Sequence, residues 1–179
     1  MYFGIGIYSN VPSLCIAAQP MLSLLASGRT TGFVWDCGYG VSHVVAVVDG
    51  YLPPSSIISL DITGDTLTGY MHQLLNERLN NSNEIQISNA DACDIKEKRS
   101  FVSLSYDNEV ADNTEDHQLP DGRVISLDRS KARFQCPEAL FQPMLIGLQS
   151  VGIHTAIFKS IKRVFYVRLN YTMTRSLDS

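Results

Sequence analysis

Eight consecutive residues, Asp36-Cys37-Gly38-Tyr39-Gly40-Val41-Ser42-His43, gather a carboxylate, two glycines and a histidine between two runs rich in β-branched and apolar side chains. Such a set reads as half of a phosphate and metal pocket. A carboxylate suits a hard divalent cation, and glycine lets backbone N–H groups approach an anion because no side chain intervenes and a positive φ carries no steric penalty. Gly32-Phe33-Val34-Trp35 before the segment and residues 44–48 after it read as paired strands, which places Gly38 and Gly40 at a hairpin tip. A glycine-rich turn without any ligand is the plainer reading of the same residues.

The elements that must hold this turn follow from local pattern. Residues 20–27 read as a short helix with Pro20 at a tolerated first position, Gly28 as its stop and Gln19 at its entrance. Residues 55–62 read as a third strand. From 65 to 78 the apolar Leu67, Tyr70, Met71, Leu74 and Leu75 recur with helical spacing, so three strands and a covering helix form a βββα unit. Further on, 79–88 reads as loop, 89–99 as helix, 101–104 as strand and 107–117 as a solvated acidic loop that includes His117. His72 is expected on a helix surface. Pro120-Asp121-Gly122 marks a hairpin turn within 118–125, Pro137 opens a short helix to residue 141, and a last helix covers 155–162. No internal repeat is present.

The whole chain has 179 residues, enough for one core, with 45% hydrophobic and 18% charged residues and a net charge of -4. An acidic balance gives no reason to expect nucleic acid as a partner. Four cysteines, Cys15, Cys37, Cys93 and Cys136, form no CxxC pair, which removes the usual zinc signature and fits a reducing compartment. No charge precedes Arg29, yet Gly4, Gly6, Asn10, Pro12, Gln19 and Pro20 interrupt the apolar run, so neither a secretory leader nor a membrane span is expected.

Ordered matches now accumulate along the chain. Ala26-Ser27-Gly28-Arg29-Thr30-Thr31-Gly32 and the hairpin after it, Gly50-Tyr51, Leu60-Asp61, Gly64, Asn76-Glu77-Arg78, Asp94-Ile95-Lys96-Glu97-Lys98, Leu119-Pro120-Asp121-Gly122, Cys136-Pro137-Glu138 and Gly152-Ile153-His154 resemble actin and the actin-related proteins, colinearly from about residue 10 to 161. The resemblance implies an α/β fold with a mixed sheet, the actin-like, RNase H-like ATPase fold. It is present here in part: a domain over 1–161 with a smaller subdomain inserted at roughly 63–150, then a basic tail over 162–179 that does not match. The resemblance further implies ATP or ADP with Mg²⁺ or Ca²⁺ as cofactor. Asp36 would hold the cation through water, Gly38, Gly40 and Val41 would cradle phosphate, Gln19 and His43 would position the attacking water, and Gly64, Lys96 and Glu97 would lie around the adenosine. Phosphoryl transfer asks for little beyond such positioning and charge neutralisation.

Departures from the family pattern lie in the same places. Tyr39 stands where the family carries an acidic residue, Cys37 replaces a serine, and Cys93 replaces an arginine near the nucleotide. The family's first phosphate loop precedes the matching region and its adenine-contacting Gly-Gly segment follows it, so the chain is expected to be truncated at both ends. The resulting expectation is an actin-like, ATP-binding cytoskeletal protein of the cytoplasm whose isolated chain is weak or inactive as a hydrolase, with actin or actin-binding proteins as partners. The alternatives are an incompetent fragment acting only as an interaction module, and a neighbouring family of the same fold such as sugar kinases or heat-shock chaperones. Lys159, Lys162, Arg163, Arg168 and Arg175 among aromatics make a basic tail that reads as a solvated helix end.

Overall fold

The computed structural model describes residues 16–79, 87–109, 116–127 and 131–177, with side chains through Phe165. Its elements are α1 (Gln19–Ala26), β1 (Gly32–Cys37), β2 (Ser42–Val47), β3 (Ile58–Leu60), α2 (Gly64–Leu79), α3 (Asn89–Arg99), β4 (Asp116–Gln118), β5 (Val124–Ser126), α4 (Ala132–Glu138) and α5 (Ile153–Leu177). The first three strands form an antiparallel sheet in the order β1-β2-β3, and β4 pairs with β5.

Strand alternation sorts the sheet into two faces. Val34, Asp36, His43, Val45 and Val47 share one face, where Leu24 of α1 packs on Val45 and Val47. Trp35, Val44 and Leu60 share the other, where Ile153 and Ala156 of α5 cover them. Burial on both sides accounts for the unbroken apolar run of β2. The largest core lies beyond the sheet, where Ile62, Met71, Leu75, Ile95, Leu119, Leu127 and Cys136 bring together α2, α3, α4 and the second hairpin. Leu67, Tyr70, Met71 and Leu75 of the periodic stripe are all buried there.

Several elements depart from the sequence reading, each for a local reason. The third strand is shorter because Ser56 donates its hydroxyl to the Pro53 and Ala46 carbonyls at 2.7 and 2.9 Å, closing a tight turn over Pro54–Ser56. No strand forms at 101–104. Phe101 instead donates its amide to the Arg133 carbonyl at 3.1 Å and tilts its ring against Phe134. That same bond explains why Pro137 sits inside α4 rather than opening a helix: the carbonyl its missing N–H would have served is Arg133's, and Phe101 takes it. The last helix begins at Ile153 and runs on to Leu177, through the basic stretch, because no glycine or proline follows Gly152. Most of the expected acidic loop lies outside the described residues.

His72 and His117 are not solvated. His72 is half-buried with Nε2 2.9 Å from the Ile87 carbonyl. His117 is 3% exposed, its Nε2 2.9 Å from Asp94 and its Nδ1 3.4 Å from Arg99 Nε. Lys98, hydrogen-bonded to Asp94 at 2.6 Å and helped by His117, holds the Asp94 carboxyl below its ordinary pKa. A carboxyl depressed by folding stabilises the native state above its unfolded pKa, and that stabilisation is lost as pH falls through the folded value. The stability difference between wild type and Asp94→Asn is therefore expected to shrink steadily below about pH 4. Denaturation midpoints of both proteins between pH 7 and pH 2 measure it; a difference that does not change with pH contradicts it.

Candidate functional site

The turn joining β1 to β2 is fixed from below by α2. Thr63 caps this helix: its amide donates to Thr66 Oγ1 at 2.8 Å and its hydroxyl accepts from the Thr66 amide at 3.4 Å. The next two amides, which a helix start leaves without internal partners, donate outward. Gly64 N–H meets the Gly38 carbonyl and Asp65 N–H meets the Tyr39 carbonyl, both at 2.9 Å. A hydrogen bond from the Tyr39 phenol to the Asp65 carboxylate, whose charge acts in the same direction, raises the Tyr39 pKa. Lys96 of α3 completes the arrangement by donating to the Gly64 carbonyl and to Thr68 Oγ1, each at 2.9 Å.

With two carbonyls of the turn facing α2, its amides face away. Gly38 N–H is used within the turn, donating to the Val41 carbonyl at 2.8 Å. The amides of Tyr39, Gly40 and Val41 have no acceptor among the described residues. Three adjacent donors without a protein acceptor lie on an exposed turn, open to water or to an anion. Neither Gly38 nor Gly40 has a positive φ, so conformational freedom is not what glycine supplies here. A methyl group at Gly40 would meet no protein atom within 4 Å. At Gly64 the reason for glycine is contact: a methyl group would lie 3.3 Å from the Gly38 carbonyl oxygen and from the Tyr39 Cα.

The other sequence-selected residues fall into two groups. Asp36 and His43 are cross-strand partners on one sheet face, and His43 Nδ1 lies 3.3 Å from Ser59 Oγ. Gln19, the first residue of α1, is exposed and makes no side-chain hydrogen bond to either of them. Glu97 is exposed and accepts from the Cys93 thiol at 3.5 Å. Gly38, Gly64 and Lys96 are thus joined through hydrogen bonds, whereas Glu97 stands apart from that chain. Sequence reasoning missed the free Tyr39 amide and Thr68; the Thr63-Gly64-Asp65-Thr66 cap was the signal that could have found this helix start.

Among the described residues no three His, Cys, Asp or Glu side chains cluster as a metal site. A cation held through its own water needs only one carboxylate, and half-buried Asp36 fits that arrangement. When bound, such an ion would neutralise phosphate charge.

The hairpin turn is thus seated on a helix start, and comparison with known proteins identifies its setting. A family model described as Actin matches residues 8–99, so the chain belongs to the actin family. Its mixed α/β structure is that of a partial actin-like fold. One relative, putative actin-29 of Dictyostelium discoideum, is 36% identical over 159 residues, which make up 85% of this chain and 41% of that protein. The chain thus spans less than half of the relative's length. No helix among the described residues is long and apolar enough to cross a membrane.

Proposed function

We propose that this chain supplies one wall of an actin-type nucleotide site. The three vacant amides of Tyr39, Gly40 and Val41 would receive phosphate, Asp36 would hold Mg²⁺ or Ca²⁺ through water, and His43 would orient the attacking water. The observation that carries the reading is the vacancy of those amides on a turn whose carbonyls are already bound to α2. Gln19 would assist His43, while Lys96 would act from beneath, two of its three donors holding the Gly64 carbonyl and Thr68 Oγ1.

One wall binds weakly. Nucleotide sites bury roughly 70 to 90% of their ligand, and losing about 4 kcal/mol of contacts lowers affinity about a thousandfold. Titration calorimetry of the 179-residue chain with Mg·ATP is expected to show weak or no binding and negligible turnover; submicromolar affinity overturns the one-wall reading. Gly40→Ala should leave thermal stability unchanged, since its methyl group meets only open space, while abolishing whatever phosphate binding remains. Equal phosphate affinity in the variant would remove the turn from the site.

A second reading, an interaction module working in the cytoskeleton with actin or its binding proteins, has its own observation. Phe33, Phe158 and Phe165 are 51, 65 and 64% exposed, and Phe33 and Phe165 line one apolar groove between the sheet and α5. Exposed apolar surface of this kind favours dependence on a partner. The purified chain should then self-associate or require a partner for solubility, and a monomer that melts cooperatively alone would count against it.

A further inference from the structure

Glu138 ends α4 and is 8% exposed. A carboxylate so enclosed ordinarily has a cation or several donors, since desolvating it alone is costly. Here Gln142 Nε2 donates to Oε1 at 2.9 Å, and no cation among the described residues pairs with it. Its other oxygen has no donor and is not sealed from solvent. Glu138 lines a cleft of about 350 Å³ whose walls include Val102, Leu104, Tyr106, Phe141 and His154.

The rest of the cleft has one chemical character. Phe141 and His154 stack with centroids 6.2 Å apart and planes inclined by 26°. Burial, and then the charge of Glu138, raises the Tyr106 pKa, so the phenol stays neutral beside the carboxylate. Glu109, accepting from Ser103 Oγ at 2.5 Å, places a second carboxylate beside a residue that lines the cleft. Val102 and Leu104 are exposed at the rim.

We infer that this cleft receives the guanidinium group of an arginine on a partner protein. Its N–H groups would donate to Glu138, its plane would lie against the aromatic walls, and its alkyl stem would cover Val102 and Leu104. A planar, weakly hydrated cation suits flat aromatic walls better than the compact, strongly hydrated ammonium of lysine. This docking site is independent of the nucleotide reading.

NMR titration of the full chain with acetyl-Leu-Arg-Leu-amide tests it, with the neutral isostere acetyl-Leu-citrulline-Leu-amide and the lysine analogue as controls. Saturable shifts at Leu104, Tyr106, Phe141 and His154 are expected with the arginine peptide, at least tenfold weaker with either control and in Glu138→Gln. His154→Ala, which alters an exposed ring, should weaken binding several-fold without unfolding the chain. Equal binding of the citrulline peptide, tighter binding of the lysine peptide, or an absence of saturation would overturn the assignment.

Discussion

Replacing Gly152 with alanine is expected to destabilise the fold by on the order of 3 kcal/mol or more. Gly152 is buried just before α5, and a methyl group there would overlap the Phe141 carbonyl oxygen and crowd its carbon as well as the His154 ring. The colliding atoms are mostly backbone, and that backbone is held: Ile153 donates to the Leu140 carbonyl at 2.9 Å and Gln142 to the Glu138 carbonyl at 2.8 Å. Relief would therefore require α5 to move off the sheet, taking Ile153 and Ala156 from Val44 and Leu60. Urea denaturation reads the loss, and Gly69→Ala is the natural control. Gly69 lies within α2 with open space around it, so alanine should stabilise that helix by up to about 1 kcal/mol. A Gly152→Ala midpoint equal to wild type would show that this junction yields more easily than its hydrogen bonds imply.

The second large effect concerns thiols. Burial pushes the Cys136 pKa up to about 12, and its Sγ donates to the Leu67 carbonyl at 3.4 Å. Because the thiolate is the reactive form, only roughly one Cys136 in ten thousand is ionised at pH 8. Cys37 is exposed and Cys93 half-buried. With a disulfide reagent at pH 8, Cys37 should react first among these three, and Cys136 more than a thousandfold later, at the rate at which α2 and α4 separate. Mass spectrometry of the labelled positions over time measures the order. Modification of Cys136 at a rate close to that of Cys37 would mean that this core opens readily. The same measurement on Gly152→Ala would report whether strain at α5 reaches the core between α2 and α4.

What the sequence made legible was mainly what repeats or punctuates. The stripe from Leu67 to Leu75 announced α2, the runs on either side of Gly38 announced the hairpin, and α3 spans the residues expected of it, with a Ser88–Asp91 capping box that the structure adds. Long-range bonds were not legible. Phe101 takes the Arg133 carbonyl from 32 positions away in sequence, and nothing near either residue signals it. His117 likewise lies beside an acidic stretch, yet Asp94 and Arg99 of a distant helix enclose it. For the site, the glycines drew attention to the turn. Their conformational rationale did not hold, because both lie at ordinary φ and the distinctive property is the set of unused amides. That property depends on Gly64 and Asp65 engaging the turn from a helix whose position only the fold determines.

Lys96 gives the turn a mechanical context. Its bonds to Gly64 and Thr68 join the first turn of α2 to α3, and two residues before it Asp94 grips His117 of β4. The path runs from the Gly38 carbonyl to the Gly64 amide, from the Gly64 carbonyl to the Lys96 ammonium, and along α3 to a hairpin whose residues are far along the chain. The turn and that hairpin are thereby joined by hydrogen bonds that run through α2 and α3.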